Sequence, residues 1–389
     1  MRQATVVIGL AIALAAVVPV AGAFAETNGV TATEITFGMH TDLSGVAATY
    51  GISSSNGVKM RFDEVNAAGG IYGRKLKLIV EDQAYQVPKA VQACNKLIHR
   101  DKVFAFEAPL GTPMNNACFK EQFAANIPNL FPLTAARSMF QPYERLKFYG
   151  AASYVDQIRS GINYLVKEKG KKAVCVMYQD TDFGKEILEG AKEQTEKLGI
   201  KIVETVSHKP TDQDFTASLT KLKDANCDLI AMGTIVKDTI VPYTAARKMG
   251  WNVTFLGSAA AYDLVVGAAP GMDGFYAMGL TEMPYADSDV PTVKKFVADY
   301  KAKFGIDPNI GAVYGYVAAD LTVAGLKNAG KDLTVDSFIK GMEAIKGYHD
   351  IFNGPEVNFG PKIRQGANSS FLAEVKDGKW TRVTQPIGF

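Results

Sequence analysis

Short apolar runs alternate with longer amphipathic stretches along most of the chain. Residues 35–39, 75–81, 103–107 and 129–131 read as strands. Between them, residues 52–67, 88–100 and 113–125 carry the 3.6-residue period of helices, the second opened by Pro88. The rhythm restarts with strands at 172–178, 201–206, 228–232 and 253–256 and helices at 184–198, 215–224 and 238–249. Strands separated by helices of this length imply parallel sheets, because a parallel pair needs a crossover connection. The repetition implies two such sheets. Helical patterns at 291–304 and 311–329 then precede short strands at 357–359, 370–376 and 380–383, so the chain crosses between two α/β lobes more than once.

Ahead of this pattern, residues 1–25 carry a single charge, Arg2, and an uncharged run that ends in Ala23-Phe24-Ala25. That is the layout of a secretory signal peptide cleaved after Ala25, and Pro19, Gly22 and the Ala-x-Ala end set it apart from a membrane anchor. Export of a free protein beginning at Glu26 is expected. Taking Arg2 from the 42 basic side chains leaves 41 against 40 acidic ones. A chain of 389 residues that is 47% hydrophobic and 21% charged is neither disordered nor a disulfide scaffold, since it holds four cysteines. It has no basic excess or stripe to neutralise phosphates, which excludes a nucleic-acid partner.

Motifs for catalysis are missing. Phe183-Gly184-Lys185 continues with Glu186, so it is no phosphate loop, and no G-x-G-x-x-G or G-x-S-x-G occurs in a fitting context. The histidines His40, His99, His208 and His349 form no close pair, and the cysteines have no C-x-x-C spacing. No enzyme, cofactor or metal site is expected. His40 directly follows the first strand, where α/β sheets place ligand contacts, and is therefore a candidate for binding as well as for holding its loop. Cys94 and Cys118 fall in consecutive helices expected on one face of the first sheet, which favours a disulfide between them over two buried thiols. Cys175 and Cys227 lie in or beside neighbouring strands, and a bridge or two thiols both remain open.

The opening 35-ITFG-38, Leu43-Ser44-Gly45, Tyr50-Gly51 and the run from Asn66 to Leu76 resemble those of a known family. Together with Asp182-Phe183-Gly184, Asp214-Phe215, the run from Ala245 to Gly250 and Gly315-Tyr316, they are similar to the leucine/isoleucine/valine-binding proteins of bacterial ABC transporters, the type I periplasmic binding proteins. The resemblance implies an α/β fold of two Rossmann-like lobes with parallel central sheets, joined by a three-segment hinge. It also implies the periplasm as the destination of export. The crossings are expected near 151–153, 281–285 and 358–361. Lobe 1 would comprise 33–150 plus 284–356, and lobe 2 would comprise 151–283 plus 357–389. A monomer would close on a small-molecule ligand between the lobes and present it to a membrane permease. The alternative of another class is a ligand-sensing module that acts with a separate membrane receptor.

The resemblance also locates the site and its departures. Where amino-acid binders of the family hold the α-carboxylate with Ser or Thr after the third and fourth strands, this chain has Gly111 beside Thr112 and Ala135 beside Thr134. A backbone N–H of Gly111 and the threonine hydroxyls would preserve an anion site. Where the family places the acid that pairs the ammonium, Gly257-Ser258 is followed by Ala259. A buried ammonium without its carboxylate is costly, so the expected ligand is a small carboxylate or amide without an ammonium group, an aromatic acid first. A branched-chain or other hydrophobic amino acid is the alternative. Tyr50, Tyr85, Tyr154 and Phe183, with Ile235 where the family has an aromatic, would form its walls. Asp238, near the cleft side of its helix, could in principle replace the missing acid, but an acid favoured by the dipole at a helix N-terminus is the reading preferred for it.

Overall fold

The computed structural model describes residues 27–388 and Met1. The expected signal segment lies outside these residues, Met1 apart. Among the described residues no helix is long and apolar enough to cross a membrane.

The first sheet has five parallel strands in the order β2-β1-β3-β4-β5. These are β1 (Glu34–Thr41), β2 (Lys75–Asp82), β3 (Ala105–Glu107), β4 (Asn129–Leu130) and β5 (Lys147–Phe148). The crossovers are α1 (Ala48–Ala67), α2 (Val87–Asn95), which a π-helical turn Lys96–Arg100 continues, and α3 (Thr112–Ala124). One sheet face packs Ile35, Phe37 and Met39 with Phe62 and Phe104; on the other, Phe106 meets Leu97, Ile98, Cys94 and Cys118. The two cysteines are joined, with Cα atoms 6.1 Å apart.

The second sheet repeats this winding with β6 (Val174–Gln179), β7 (Ile202–His208), β8 (Leu229–Gly233), β9 (Thr254–Gly257) and β10 (Tyr276–Gly279) in the order β7-β6-β8-β9-β10. Two antiparallel strands, β11 (Ser369–Lys376) and β12 (Lys379–Arg382), extend it past β10, and β13 (Ile387–Gly388) pairs with β11. Side chains alternate across β6, as the period of two requires. Val174 and Val176 face Ile158, Ile162 and Ile187 on α4 (Tyr154–Lys169) and α5 (Asp182–Lys197). Cys175 and Met177 face Leu219 on α6 (Thr216–Asp224) and Tyr243 on α7 (Lys237–Lys248). Cys175 is joined to Cys227 beneath them.

After the short α8 (Leu264–Ala268) and β10, the chain returns to the first lobe as α9 (Pro291–Phe304), α10 (Ile310–Ala329) and α11 (Val335–Glu343). Helix α10 crosses α1 closely. A Cβ on Gly57 would stand 2.1 Å from the Ala312 oxygen, and one on Gly315 would stand 2.1 Å from the Ser54 oxygen, so only glycine permits this approach. Arg61 Nε donates to Asp320 Oδ1 at 2.7 Å across the same crossing.

Three differences from the sequence reading have local causes. The strand–helix rhythm omits α4, although Ser153 caps its N-terminus by accepting from Asp156 N and Gly170 ends it in the left-handed conformation. The strand expected at 357–359 is reduced to one bridge, Tyr348 to Val357. Finally, Val357 and Phe359 pack in the first-lobe core, Phe359 lying 5.4 Å from Phe148, and Gln365 bridges Tyr149. Arg364 likewise reaches first-lobe groups, Glu343 at 2.7 Å and the Arg145 oxygen at 3.2 Å, so these residues pack against the first lobe.

Candidate ligand-binding site

The strand C-ends of both sheets face one cavity of about 240 Å³ between the lobes. This is where open α/β sheets place ligands. At its first-lobe end, Gly111 leads into α3 with φ of 94°, a conformation that favours glycine, and a Cβ there would meet Met114 Sδ at 2.9 Å. Thr112 begins the helix. Its hydroxyl lies 2.5 Å from that of Thr134, and both side chains are buried. Tyr154 lines the cavity beside them, its N–H donating to the Ala135 oxygen at 2.7 Å, and burial, outweighing the lowering effect of Thr134 and Ala135, pushes its phenol pKa up to about 12. Three neutral hydroxyls at the N-terminus of a 13-residue helix form an anion pole, and a cation, Lys237 at the start of α7, also lines the cavity, its Nζ donating to Gln213. The Gly111 N–H, expected to donate to the ligand, instead reaches the Leu133 oxygen at 3.4 Å.

Aromatic and aliphatic side chains build the walls. Tyr50 and Tyr314, carried by the crossing pair α1 and α10, stand with ring centroids 6.4 Å apart. Burial raises the pKa of both phenols, which stay neutral. The Tyr314 hydroxyl has no partner among the described residues. Tyr154 meets Phe183 edge-on at 4.9 Å, and Tyr85, Ile235 and Ala259 complete the lining from both lobes.

Nine of the eleven residues named from the sequence thus surround one cavity. His40 and Ser258 do not. His40 is fully buried beneath the first-lobe strands, with Nδ1 3.1 Å from Gln83 Oε1 and Nε2 3.8 Å from Cys118 Sγ, and desolvation lowers its pKa to about 4. Ser258 is buried behind the lining, where its hydroxyl accepts from Ala260 N at 3.3 Å. His40 is the penultimate residue of β1, which runs two residues further than the sequence pattern suggests, and Ser258 follows β9; both side chains are buried away from the cavity.

Among the described residues of lobe 2, no acid lines the cavity opposite the anion pole. Ala259 is 5% exposed, and its N–H donates to Gln157 Oε1 at 2.8 Å. Asp238 does not replace the missing carboxylate. Its Oδ2 accepts from Gln179 Nε2 at 2.8 Å and lies 2.9 Å from His208 Nε2, while Oδ1 accepts from Ile235 N at 2.9 Å. It braces the turn that presents Ile235. Asp263 caps α8 behind Val265 and does not line the cavity. Asp350, which sequence reasoning missed, does line it, on the hinge side; its Oδ1 accepts from Phe352 N at 2.7 Å and Gly354 N at 3.0 Å.

Segment 135–140 leaves the first sheet after β4 and packs against α4 and α5 of the second lobe. There Arg137 makes a two-bonded pair with Glu193 at 2.6 and 3.1 Å and reaches Glu189 at 3.1 Å. Asn116 on α3 donates to Asp182 on α5 at 2.8 Å. These bonds hold the lobes together around the cavity.

Two lobes wound alike, three connecting passages and a cavity at the facing strand ends define a hinged, two-lobed binding protein fold. The periplasmic binding protein family model matches residues 34–379, and the chain belongs to that family. A Leu/Ile/Val-binding protein homolog 8 of Brucella abortus is 23% identical over 369 residues, 90% of either chain. Among solved structures, a fatty acid ABC transporter substrate-binding protein from Thermomonospora curvata is similar at TM-score 0.84 and 25% identity, covering 94% of this chain and 95% of its own. A branched-chain amino acid ABC transporter protein from Thermus thermophilus with bound valine shares the fold at TM-score 0.83 and 20% identity, covering 92% and 97%.

Proposed function

We propose that this protein is the exported solute-binding component of an ABC transporter, which captures a small carboxylate or amide without an ammonium group, an aromatic acid first, and delivers it to a membrane permease. The observation that carries the ligand reading is the missing acid: Ala259 stands where an ammonium partner would be, and Asp238 is engaged by Gln179, His208 and Ile235. Opposite it, neutral hydroxyls and the α3 N-terminus suit a carboxylate head or an amide oxygen. Tyr50, Tyr85, Tyr154, Phe183 and Tyr314 suit a flat ring. The volume of about 240 Å³ exceeds the ~150 Å³ of a cavity known to admit benzene, which leaves room for a ring and an acid group.

A second reading, a branched-chain amino acid, is favoured by one observation: Asp350 lines the cavity, and its Oδ2 could meet an ammonium from the hinge side. Calorimetric titration with benzoate, phenylacetate, leucine and valine separates the two. Tight leucine binding with no binding of the aromatic acids refutes the first reading, and mass spectrometry of solute carried through purification names the ligand. Export with cleavage after Ala25 and action as a monomer belong to the same proposal; an intact mass that does not begin at Glu26, or a dimer in sedimentation, overturns those parts.

A further inference from the structure

The cavity does not end at the carboxylate pole. Its hinge-side end is bounded by Phe131, Gly150, Val317, Ala318, Leu321 and Val357, drawn from the loop after β4, the first crossing, α10 and the approach to the third crossing. None of these six side chains carries a polar atom. Beside them, the Thr281 hydroxyl donates to the Phe352 oxygen at 2.8 Å, and Asp350 accepts two amide N–H groups through Oδ1, which leaves Oδ2 as the polar atom of this pair not engaged by backbone. Water gains little in such a space, and an apolar group fills it favourably.

Phe131 holds its place at a conformational cost. Its φ is 48°, in the left-handed region that bulky residues avoid, while its N–H donates to the Phe148 oxygen at 2.8 Å and its ring lies 6.0 Å from that of Phe359. Strain of this kind persists where surrounding structure specifies a side-chain position, and it clusters at ligand clamps. Gly150 faces the same space. A Cβ added there would stand 3.5 Å from Leu321 Cδ1 and 3.6 Å from Phe131 Cδ1, so any side chain beyond it would enter the gap between them.

We propose that this chamber is a tail subsite: it takes the alkyl tail of a monocarboxylate whose head sits at Thr112 and Thr134, and Gly150 determines the tail length accepted. The inference rests on the carboxylate reading above. Each methylene buried in an apolar site strengthens binding by about fourfold in Kd.

Calorimetric titration of the full chain with butanoate and hexanoate tests it. Hexanoate binds about 15-fold more tightly than butanoate to the natural protein, on the same per-methylene scale. In Gly150→Val, and independently in Leu321→Phe, which fills the chamber from α10, that ratio falls to about threefold or less. Thermal melts identify a variant that fails to fold, and the natural protein's own ratio stands without either. A ratio near one in the natural protein, or a ratio unchanged in both variants, overturns the tail subsite while leaving the carboxylate head intact. If neither these acids, benzoate, nor their amides bind, the carboxylate reading falls and takes the subsite with it.

Discussion

Thr134→Val tests where the head group sits. Valine keeps the shape of a side chain that is 5% exposed and removes one hydroxyl from the Thr112–Thr134 pair, whose oxygens are 2.5 Å apart. A hydrogen bond to a charged partner is worth about 1.5–3 kcal/mol, so the Kd for benzoate should rise between about 10-fold and about 150-fold. Benzamide accepts a neutral bond worth about 0.5–1.5 kcal/mol and should lose only about twofold to twelvefold. The folded protein also loses the internal bond to Thr112, about 1 kcal/mol of stability, so both proteins are titrated well below their melting temperatures. The informative quantity is the difference between acid and amide, because damage to the fold would weaken both alike. Equal losses, or an unchanged Kd for benzoate, would refute the placement of the head at Thr134.

Glu107, fully buried with Oε2 accepting from the Thr322 hydroxyl at 2.7 Å, has its pKa pushed by desolvation from 4.5 up to about 8. The folded state keeps a proton that the unfolded chain releases near 4.5, so this group's stabilisation is complete below that pH and is lost as pH rises toward about 8. Urea melts should show a smaller decline between those limits for Glu107→Gln than for the natural protein, and parallel curves would contradict the assignment. Arg137→Ala removes the interlobe pairs with Glu189 and Glu193; these are partly exposed, so ligand affinity should fall only about twofold to fivefold, less at high salt, with the change in the dissociation rate by stopped flow. Replacing Cys94 and Cys118 by serine should destabilise by about 3 kcal/mol in urea melts, and the Cys175–Cys227 pair, with 52 residues of separation against 24, should lose slightly more.

Much of the frame is legible in the sequence because parallel sheets leave a strong trace. Strands such as Leu229–Gly233 are buried on both faces and read as unbroken apolar runs, while their crossover helices carry a different period. Helix α4 escapes that reading although its caps, Ser153 and Gly170, are ordinary signals. His40 and Ser258 show another limit. Position at or just after a strand end places a residue near the cleft, but it does not decide whether the side chain enters the cavity or the core, and one residue of register separates the two outcomes.

The same contrast divides the proposed ligand, with its proposed head at Thr112 and Thr134 and its proposed tail in the chamber. Its head is readable, because Thr112, Thr134 and the departure at Ala259 sit at fixed offsets from strand ends that the family's motifs locate. Its tail is not, because Phe131, Gly150, Leu321 and Val357 belong to four segments that meet only when α10 crosses α1 and Val357 packs against the first lobe. The crossing depends on Gly57 and Gly315, whose added Cβ atoms would each fall 2.1 Å from a backbone oxygen of the other helix. A side chain at either position would push α10 away from α1 and shift Val317, Ala318 and Leu321 relative to Phe131 without touching Thr112 or Thr134. Under the proposed reading, packing residues that carry no binding motif therefore set what the cavity accepts beyond the head group.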